Sequence, residues 1–446
     1  MSFRRSASRI SFFASISYVV DYSFQLVDIF WVAKIGLGAP TAIAIISSVF
    51  FLVLALNEII GVSTVPLFSQ AVGSGDHERA GLMILQSIMA KLVLGLLMVL
   101  SFAVFLNFLA PLYDVTPETA DYLHAYGGVI WMSLVLVPVY STMMTALRTI
   151  GEESKTAWIS GAALLLNALL NPVFIFGVGQ FDGLGIAGAA WATVFAQLFA
   201  MTTASYFLRK NRLGIEVFAV RHMTWQSEIY FKLVLIGLPV GGVMILYNLE
   251  QAAITALVTA FPAAVSDGYG IGARIFGFLF MANFGIAVGV SVTVGHYIGR
   301  EELDVVQDNL PGFVLLSVST IFMIAAVVFF TGFKIMSLFT ENSIAIATGG
   351  EYLRYMAVAI CLLCTLYSIN GAFEGSGRNL PILFVALCMY LGVEFPLIYY
   401  FTHSDGFELA DVWIAVIAAS LFGAIITSWL FHRGWWKPHR QRKEPR

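Results

Sequence analysis

The chain has 446 residues, of which 59% are hydrophobic and 11% charged, with a net charge of -3 and a mean hydropathy of +0.85. Soluble globular domains carry about 25% charged residues, so this composition excludes a water-covered globule and points to a bilayer. There is no Lys/Arg stripe with interleaved aromatics, and hence no reason to propose a nucleic-acid partner.

Apolar runs long enough to cross about 30 Å of hydrocarbon are read near 10–36, 40–72, 82–111, 119–147, 156–178 and 184–208. A second set follows near 229–260, 265–298, 306–336, 346–374, 380–403 and 409–432. These twelve spans predict an all-α integral membrane protein. The start, Met1 to Arg9 and then an apolar run, superficially resembles a secretory signal. The run is too long for one and lacks a small-residue cleavage site, so it reads as the first span.

The two sets repeat each other. With a shift of 226 residues, Phe50 falls on Phe276, Asn57 on Asn283, Gly73 on Gly299, Ala146 on Ala372 and Gly151 on Gly377. A six-span unit written twice predicts two pseudo-symmetric halves, 1–215 and 216–446. Halves related by an axis along the membrane normal are a transporter construction, with the solute site between them.

With both termini placed inside, the inner segments hold Arg4, Arg5, Arg9, Arg79, Arg148, Lys155, Arg209, Lys210, Arg212, Arg221, Lys232, Arg300, Arg378 and the basic C-terminus from Arg433 to Arg446. The outer loops hold only Lys34 and Lys334. This positive-inside bias predicts cytoplasmic termini and a location in the inner (plasma) membrane. Pro66, Pro138, Pro172, Pro239 and Pro396 lie within spans as candidate helix breaks, where a freed carbonyl needs a partner or a cavity.

Ionisable residues inside spans cost about 2.5–3.5 kcal/mol on insertion scales and are the first functional candidates. Asp28 lies about 27 Å of helix rise into the first span, and Glu250 sits at comparable depth in the seventh. Aligning Gln25–Asp28 with Tyr247–Glu250 makes the two acids counterparts. One carboxylate per half suits a proton or sodium coupling site; the plainer reading is an acid satisfied by a neighbouring helix. Asn167 and Asn171 are four apart and share a helical face, fit either to orient an ion or to glue helices together. Glu394, beside Pro396, is the second-half echo of that region. Glu58, Lys91, Asp21 and Arg274 are further buried charges for which a structural pair is as good a reading. Tyr247, Arg274, Asn283 and Asn370 join Glu250 and Glu394 as candidates for a substrate-cavity wall.

Other signals lead nowhere. Gly183-Leu-Gly185-Ile-Ala-Gly188 satisfies G-x-G-x-x-G but has no preceding strand. Cys361 and Cys364 form C-x-x-C inside a span without a second metal-ligand pair. There is no Walker A motif and no G-x-S-x-G, so nothing suggests an enzyme or a cofactor.

Val27-Asp28-Ile-Phe-Trp-Val-Ala, Gln70-Ala-Val-Gly73-Ser-Gly75-Asp76, Gly183-Leu-Gly-Ile-Ala-Gly-Ala-Ala-Trp-Ala-Thr193 and Gly371-Ala-Phe-Glu-Gly-Ser-Gly377 resemble the MATE (multidrug and toxic compound extrusion) transporters over essentially the whole chain. The resemblance implies twelve helices in two six-helix lobes around a central V-shaped cavity, acting as a monomer in the lipid bilayer. It also implies antiport of small organic, often cationic, solutes against protons or sodium. Asp28 falls on the family's coupling aspartate and Asn167 on an asparagine of the DinF-like and archaeal branches. Asn171 stands where several relatives have a second aspartate, a departure that removes one titratable group. Thr193 matches a polar position that completes the site, which makes Asp28 a possible sodium ligand. Glu250 approximates an acid of the NorM-like branch with an offset, and that branch's second acid would fall on Leu363. The coupling chemistry is therefore expected mainly in the first half. A lipid-linked oligosaccharide or precursor flippase of the same superfamily is the alternative, disfavoured by the few buried basic residues.

Overall fold

The computed structural model describes residues 2–36, 38–113, 115–219 and 223–438, and at 48–55, 103–105 and 107–112 the backbone alone. Arg221, Arg440, Arg442, Lys443 and Arg446 of the charge count, and the Phe50 side chain of the repeat, lie outside the described residues.

The fold is all-α. The helices are α1 (Phe3–Val32), α2 (Gly38–Gly73), α3 (His77–Leu112), α4 (Pro117–Ile130), α5 (Ser133–Thr149), α6 (Glu153–Phe176) and α7 (Ile186–Arg209). The second half supplies α8 (Ser227–Thr259), α9 (Ala263–Gly299), α10 (Leu303–Met336), α11 (Ser343–Ser376), α12 (Leu380–Met389), α13 (Phe395–Thr402) and α14 (Leu409–His432). Among the described residues the only β-type pairing is an isolated bridge between Val178 and Phe181. This follows from the solvent: in hydrocarbon a chain must satisfy its own backbone, and a helix does so within one segment.

Among the described residues, ten stretches are long and apolar enough to cross a bilayer, and α4 with α5 forms one more crossing bent by 42°. The 36-residue α2 completes twelve. The bend in α4–α5 does not fall at the proline. The helix breaks around Trp131, whose indole Nε1 turns back to donate to the Gly128 carbonyl at 2.6 Å, while Pro138 stays inside α5. Proline leaves the carbonyl four residues earlier without its helical partner. That carbonyl, on Leu134, lies against Gly95 of α3, where a Cβ would stand only 2.8 Å away. The bare glycine allows the close approach.

The eleventh crossing is interrupted differently. Between α12 and α13 the backbone widens into a π-helical turn, Tyr390–Glu394, directly ahead of Pro396. A π-turn re-registers the ladder by one residue where the coming proline has no N–H to offer. At the soluble ends, Asn342 caps α11 by accepting from the Ile344 and Ala345 amides at 2.9 and 3.2 Å. Glu408 and Asp411 form a capping box at the start of α14.

The chain divides into two compact units, Ile16–Gly237 and Met1–Ser15 with Leu238–Arg446. The boundary expected at 215/216 rests on duplication of sequence, whereas these limits mark packing. In the second unit the first turns of α1 lie on α9. Ser15 Oγ donates to the Ala282 carbonyl at 2.7 Å and Ser11 Oγ to that of Ile286 at 3.3 Å. Gly285 and Gly289 make this seam possible, because a Cβ at either would stand 2.2 and 2.1 Å from Ser15 and Ser11 atoms. Close backbone approach through small residues, with hydroxyls as glue, is how helices associate where no hydrophobic drive exists between them.

Candidate functional site

In the Ile16–Gly237 unit, three helices converge on one carboxylate. Asp28 of α1 is 6% exposed, and Asn167 and Asn171 of α6 are fully buried. A bare carboxylate in such surroundings costs many kcal/mol unless hydrogen-bonded. Here it is. Asn171 Nδ2 donates to Asp28 Oδ1 at 2.9 Å and Asn167 Nδ2 to the same oxygen at 3.2 Å. Thr193 Oγ1 of α7 donates to Asp28 Oδ2 at 2.9 Å.

The donors also position one another. Asn167 Nδ2 lies 3.2 Å from Thr193 Oγ1. The threonine hydroxyl has one hydrogen, which the carboxylate uses, so it accepts from the amide. Asn171 Nδ2 reaches back one turn to Asn167 Oδ1 at 3.1 Å. The i, i+4 spacing brings both amides onto one face, as the sequence predicts. Two groups placed by sequence, Asn167 and Asn171, therefore meet around Asp28 with Thr193, the one supplied by resemblance. Asn171 Oδ1 remains without a hydrogen-bond partner among the described residues.

Asp28 opens onto a cavity of about 270 Å³. Its wall includes Asp21, Tyr126, Tyr140, Thr193 and Gln197, and none of the described residues lining it is basic. Tyr126 lies within electrostatic reach of Asp28. Sequence reasoning missed Tyr126, Tyr140 and Gln197 altogether, since uncharged polar residues in a span carry no periodic signal. Asp21, read from the sequence as a further buried charge, precedes Asp28 by seven residues, two turns on the same helical face.

The Met1–Ser15 and Leu238–Arg446 unit holds a second group. Glu250 of α8 and Glu394 of the π-turn are 5% and 2% exposed, and their carboxyl groups hydrogen-bond to each other. Gln251 Nε2 donates to Glu250 Oε2 at 2.8 Å. The surroundings are aromatic, with Tyr269, Tyr367 and Tyr390 all within electrostatic reach of Glu250. Tyr247 stacks on Phe280 at 5.6 Å. The two acids expected as separate echoes are thus one pair.

The remaining candidates are scattered. Asn283 is buried in α9, with its Nδ2 3.5 Å from the Ile360 carbonyl of α11, and Asn370 is buried within α11. Both are buried within the helix bundle. Arg274, expected as a buried charge, is instead exposed on α9. A guanidinium on a flexible stem reaches out of the helix packing. Among the described residues, no three His, Cys, Asp or Glu side chains group in a way that would hold a metal ion.

A sequence profile of the family described as MatE matches residues 14–173 and 239–400. The family thus matches twice, displaced by close to the 226 residues of the internal repeat. Among relatives, "Probable multidrug resistance protein YoeA" of Bacillus subtilis is 23% identical over 408 residues, covering 91% of this chain and 88% of the relative. "Probable multidrug resistance protein NorM" of Geobacillus kaustophilus is 23% identical over 438 residues, covering 96% and 94%. Among solved structures, one described as the outward-facing conformation of a multidrug resistance MATE family transporter of the MOP superfamily superposes with a TM-score of 0.89. It is 20% identical and covers 100% of this chain and 98% of its own. The likeness in three dimensions is one of fold.

Proposed function

The chain belongs to the MatE family of membrane transporters, and from that premise we propose that it is an ion-driven antiporter. It exports organic, often cationic, drugs or metabolites against a proton or sodium gradient by alternating access. The two repeats, 1–215 and 216–446, serve as its transport lobes, in a monomer in the inner membrane with both termini cytoplasmic. Similarity to proteins named for multidrug resistance supports the solute class. The cavity wall beside Asp28 supports the sign of its charge, since a pyrophosphate-bearing lipid would need basic groups there.

The observation that carries the proposal is the Asp28 cluster. An ionised Asp28 receives hydrogen bonds on both oxygens. On gaining a proton, one oxygen becomes a donor, and the unused Asn171 Oδ1 is an acceptor within the same cluster. Alternatively, the Asp28 carboxylate, Asn171 Oδ1 and Thr193 Oγ1 offer the hard oxygen ligands that sodium takes. In either case the ion neutralises the charge that would attract a cationic solute. Ion and solute then compete, and competition for one site is what antiport requires.

The test is efflux of a cationic dye from proteoliposomes, driven by a sodium gradient alone and by a pH gradient alone. Wild-type protein is expected to respond to at least one gradient, and Asp28→Asn to lose that response. Driven efflux that survives Asp28→Asn would sink the proposal.

A further inference from the structure

Asp28 is not the only carboxylate on its cavity. Asp21 lines the same wall, two turns earlier on α1, about 10 Å away along the helix. The two acids differ in what surrounds them. Asp28 is enclosed by three hydrogen-bond donors and nearly inaccessible. Asp21 is only partly buried and has a cation for company. The Arg148 guanidinium acts on it electrostatically, as Asp21 in turn does on the Tyr140 hydroxyl.

Arg148 leads further. It sits in the last turn of α5, 4% exposed, with its guanidinium 5.2 Å from the centre of the Tyr18 ring. Its charge also acts on Glu58 of α2, and Glu58 is in turn paired electrostatically with Lys91 of α3. Glu58 Oε2 and Lys91 Nζ flank one small space, 3.2 and 3.4 Å from where a Cβ at Gly61 would stand. Lys91 Nζ is also 3.3 Å from Ser141 Oγ. Electrostatic interactions therefore link a series of groups, with Asp28 and Asp21 on one cavity wall and then Arg148, Glu58 and Lys91. Beyond Asp28 it holds two acids and two bases, so it is balanced while remaining chemically active.

A purely structural ion pair needs no face on a cavity. Asp21 has one, shared with Asp28. A sodium ion fits this second acid poorly, because it would need several oxygen ligands in a shell that also holds the Arg148 guanidinium. A proton fits, since it moves between carboxyl groups and solvent water without a ligand shell.

We infer that Asp21 is a second proton-binding carboxylate of this transporter, which takes the coupling proton released by Asp28 and passes it toward Glu58. The inference rests on the reading of Asp28 as the coupling site. In the step, the Asp28 O–H bond breaks, the proton crosses the cavity as hydronium, and an O–H bond forms on Asp21. Neutral Asp21 no longer screens Arg148, which then draws closer to Glu58. The Asp21 O–H bond then breaks, its proton passes to a water molecule as hydronium, and the pair resets. Besides Asp28 and Tyr18 on α1, the groups facing Asp21 are Tyr140 and Arg148 of α5 and Ser160 of α6.

The experiment measures ethidium efflux from proteoliposomes of the full chain, driven by a pH gradient alone, across external pH values from acid to alkaline. Asp21→Asn is expected to lower driven efflux at least tenfold and to flatten its pH profile. Asp21→Glu, which keeps a carboxyl group, is expected to restore at least half of the wild-type flux. An Asp21→Asn protein with wild-type rate and profile overturns the inference, and so does an inactive Asp21→Glu protein. A wild-type chain that answers only to sodium overturns it as well, yet leaves Asp28 as the coupling site. If Asp28→Asn keeps its driven efflux, the broader reading falls, whatever Asp21 does.

Discussion

Asn171 donates to Asp28 at 2.9 Å, and its own side-chain oxygen has no partner among the described residues. One amide thus offers the same carboxyl group a donor in use and an acceptor in reserve. In the proposed cycle the ionised Asp28 uses the donor and the protonated Asp28 turns to the acceptor. Asn171→Leu removes both. Losing a hydrogen bond to a buried charged group costs about 1–3 kcal/mol, and about 1.4 kcal/mol is already tenfold in an equilibrium. The expected outcome is a lower melting temperature in detergent and ion-driven dye efflux reduced at least tenfold. Asn171→Asp keeps an acceptor and adds a carboxyl group, and is expected to retain proton-driven efflux. Equal activity of Asn171→Leu and wild type would show that the reserve acceptor has no role.

Thr193 gives a cleaner separation of shape from chemistry. Its hydroxyl donates to Asp28 Oδ2 at 2.9 Å and accepts from Asn167. Thr193→Val preserves the volume but strands both partners, at about 1–3 kcal/mol. Thr193→Ser keeps the hydroxyl. Apparent affinity for the driving ion, read from efflux against ion concentration, is expected to fall about tenfold in the valine variant and little in the serine variant. A serine variant as impaired as the valine would assign the effect to packing of the methyl group instead.

Some of this architecture is legible in the chain and some is not, and the difference has a physical cause. A span is a local property of composition, so the runs near 10–36 or 409–432 each meet a single helix. The Asn167–Asn171 face is local too, fixed by the helical repeat. The break at Trp131 is not, because it depends on an indole turning back on its own helix rather than on Pro138. Nor does spacing reveal that Glu250 and Glu394, which lie in different helices, share a hydrogen bond. That contact depends on how the π-turn of Tyr390–Glu394 rotates Glu394 about its axis. Arg274 misleads for a related reason. A charge within an apolar run reads as buried, whereas a long side chain is free to reach outward.

The Glu250–Glu394 contact makes its own prediction. A hydrogen bond between two carboxyl groups contains one proton, and an amide supplies that hydrogen permanently. Glu394→Gln is therefore expected to melt at or slightly above the wild-type temperature. Glu394→Leu leaves Glu250 facing hydrocarbon with Gln251 as its remaining side-chain donor, and should lose about 3 kcal/mol. Thermal unfolding of the three proteins in one detergent checks the order. A leucine variant as stable as the glutamine variant would mean that the two acids do not depend on each other.

Lys91 tests whether the Glu58 pair is held together by its charges. The ammonium is 2% exposed, with Glu58 and Ser141 as neighbours. Removing one member of a buried pair strands the other, at about 3–5 kcal/mol, whereas replacing both by apolar groups of similar volume is often neutral. Lys91→Met alone is thus expected to lower the melting temperature sharply, and Lys91→Met combined with Glu58→Leu to recover most of the loss. Gly61→Ala is a gentler probe of the same place, because its methyl would press on both charged atoms at 3.2 and 3.4 Å. Those atoms end flexible side chains, so they are expected to give way and leave stability within about 1 kcal/mol of wild type. If the double variant is no more stable than Lys91→Met, then the lysine's packing, rather than its charge, is what α3 requires.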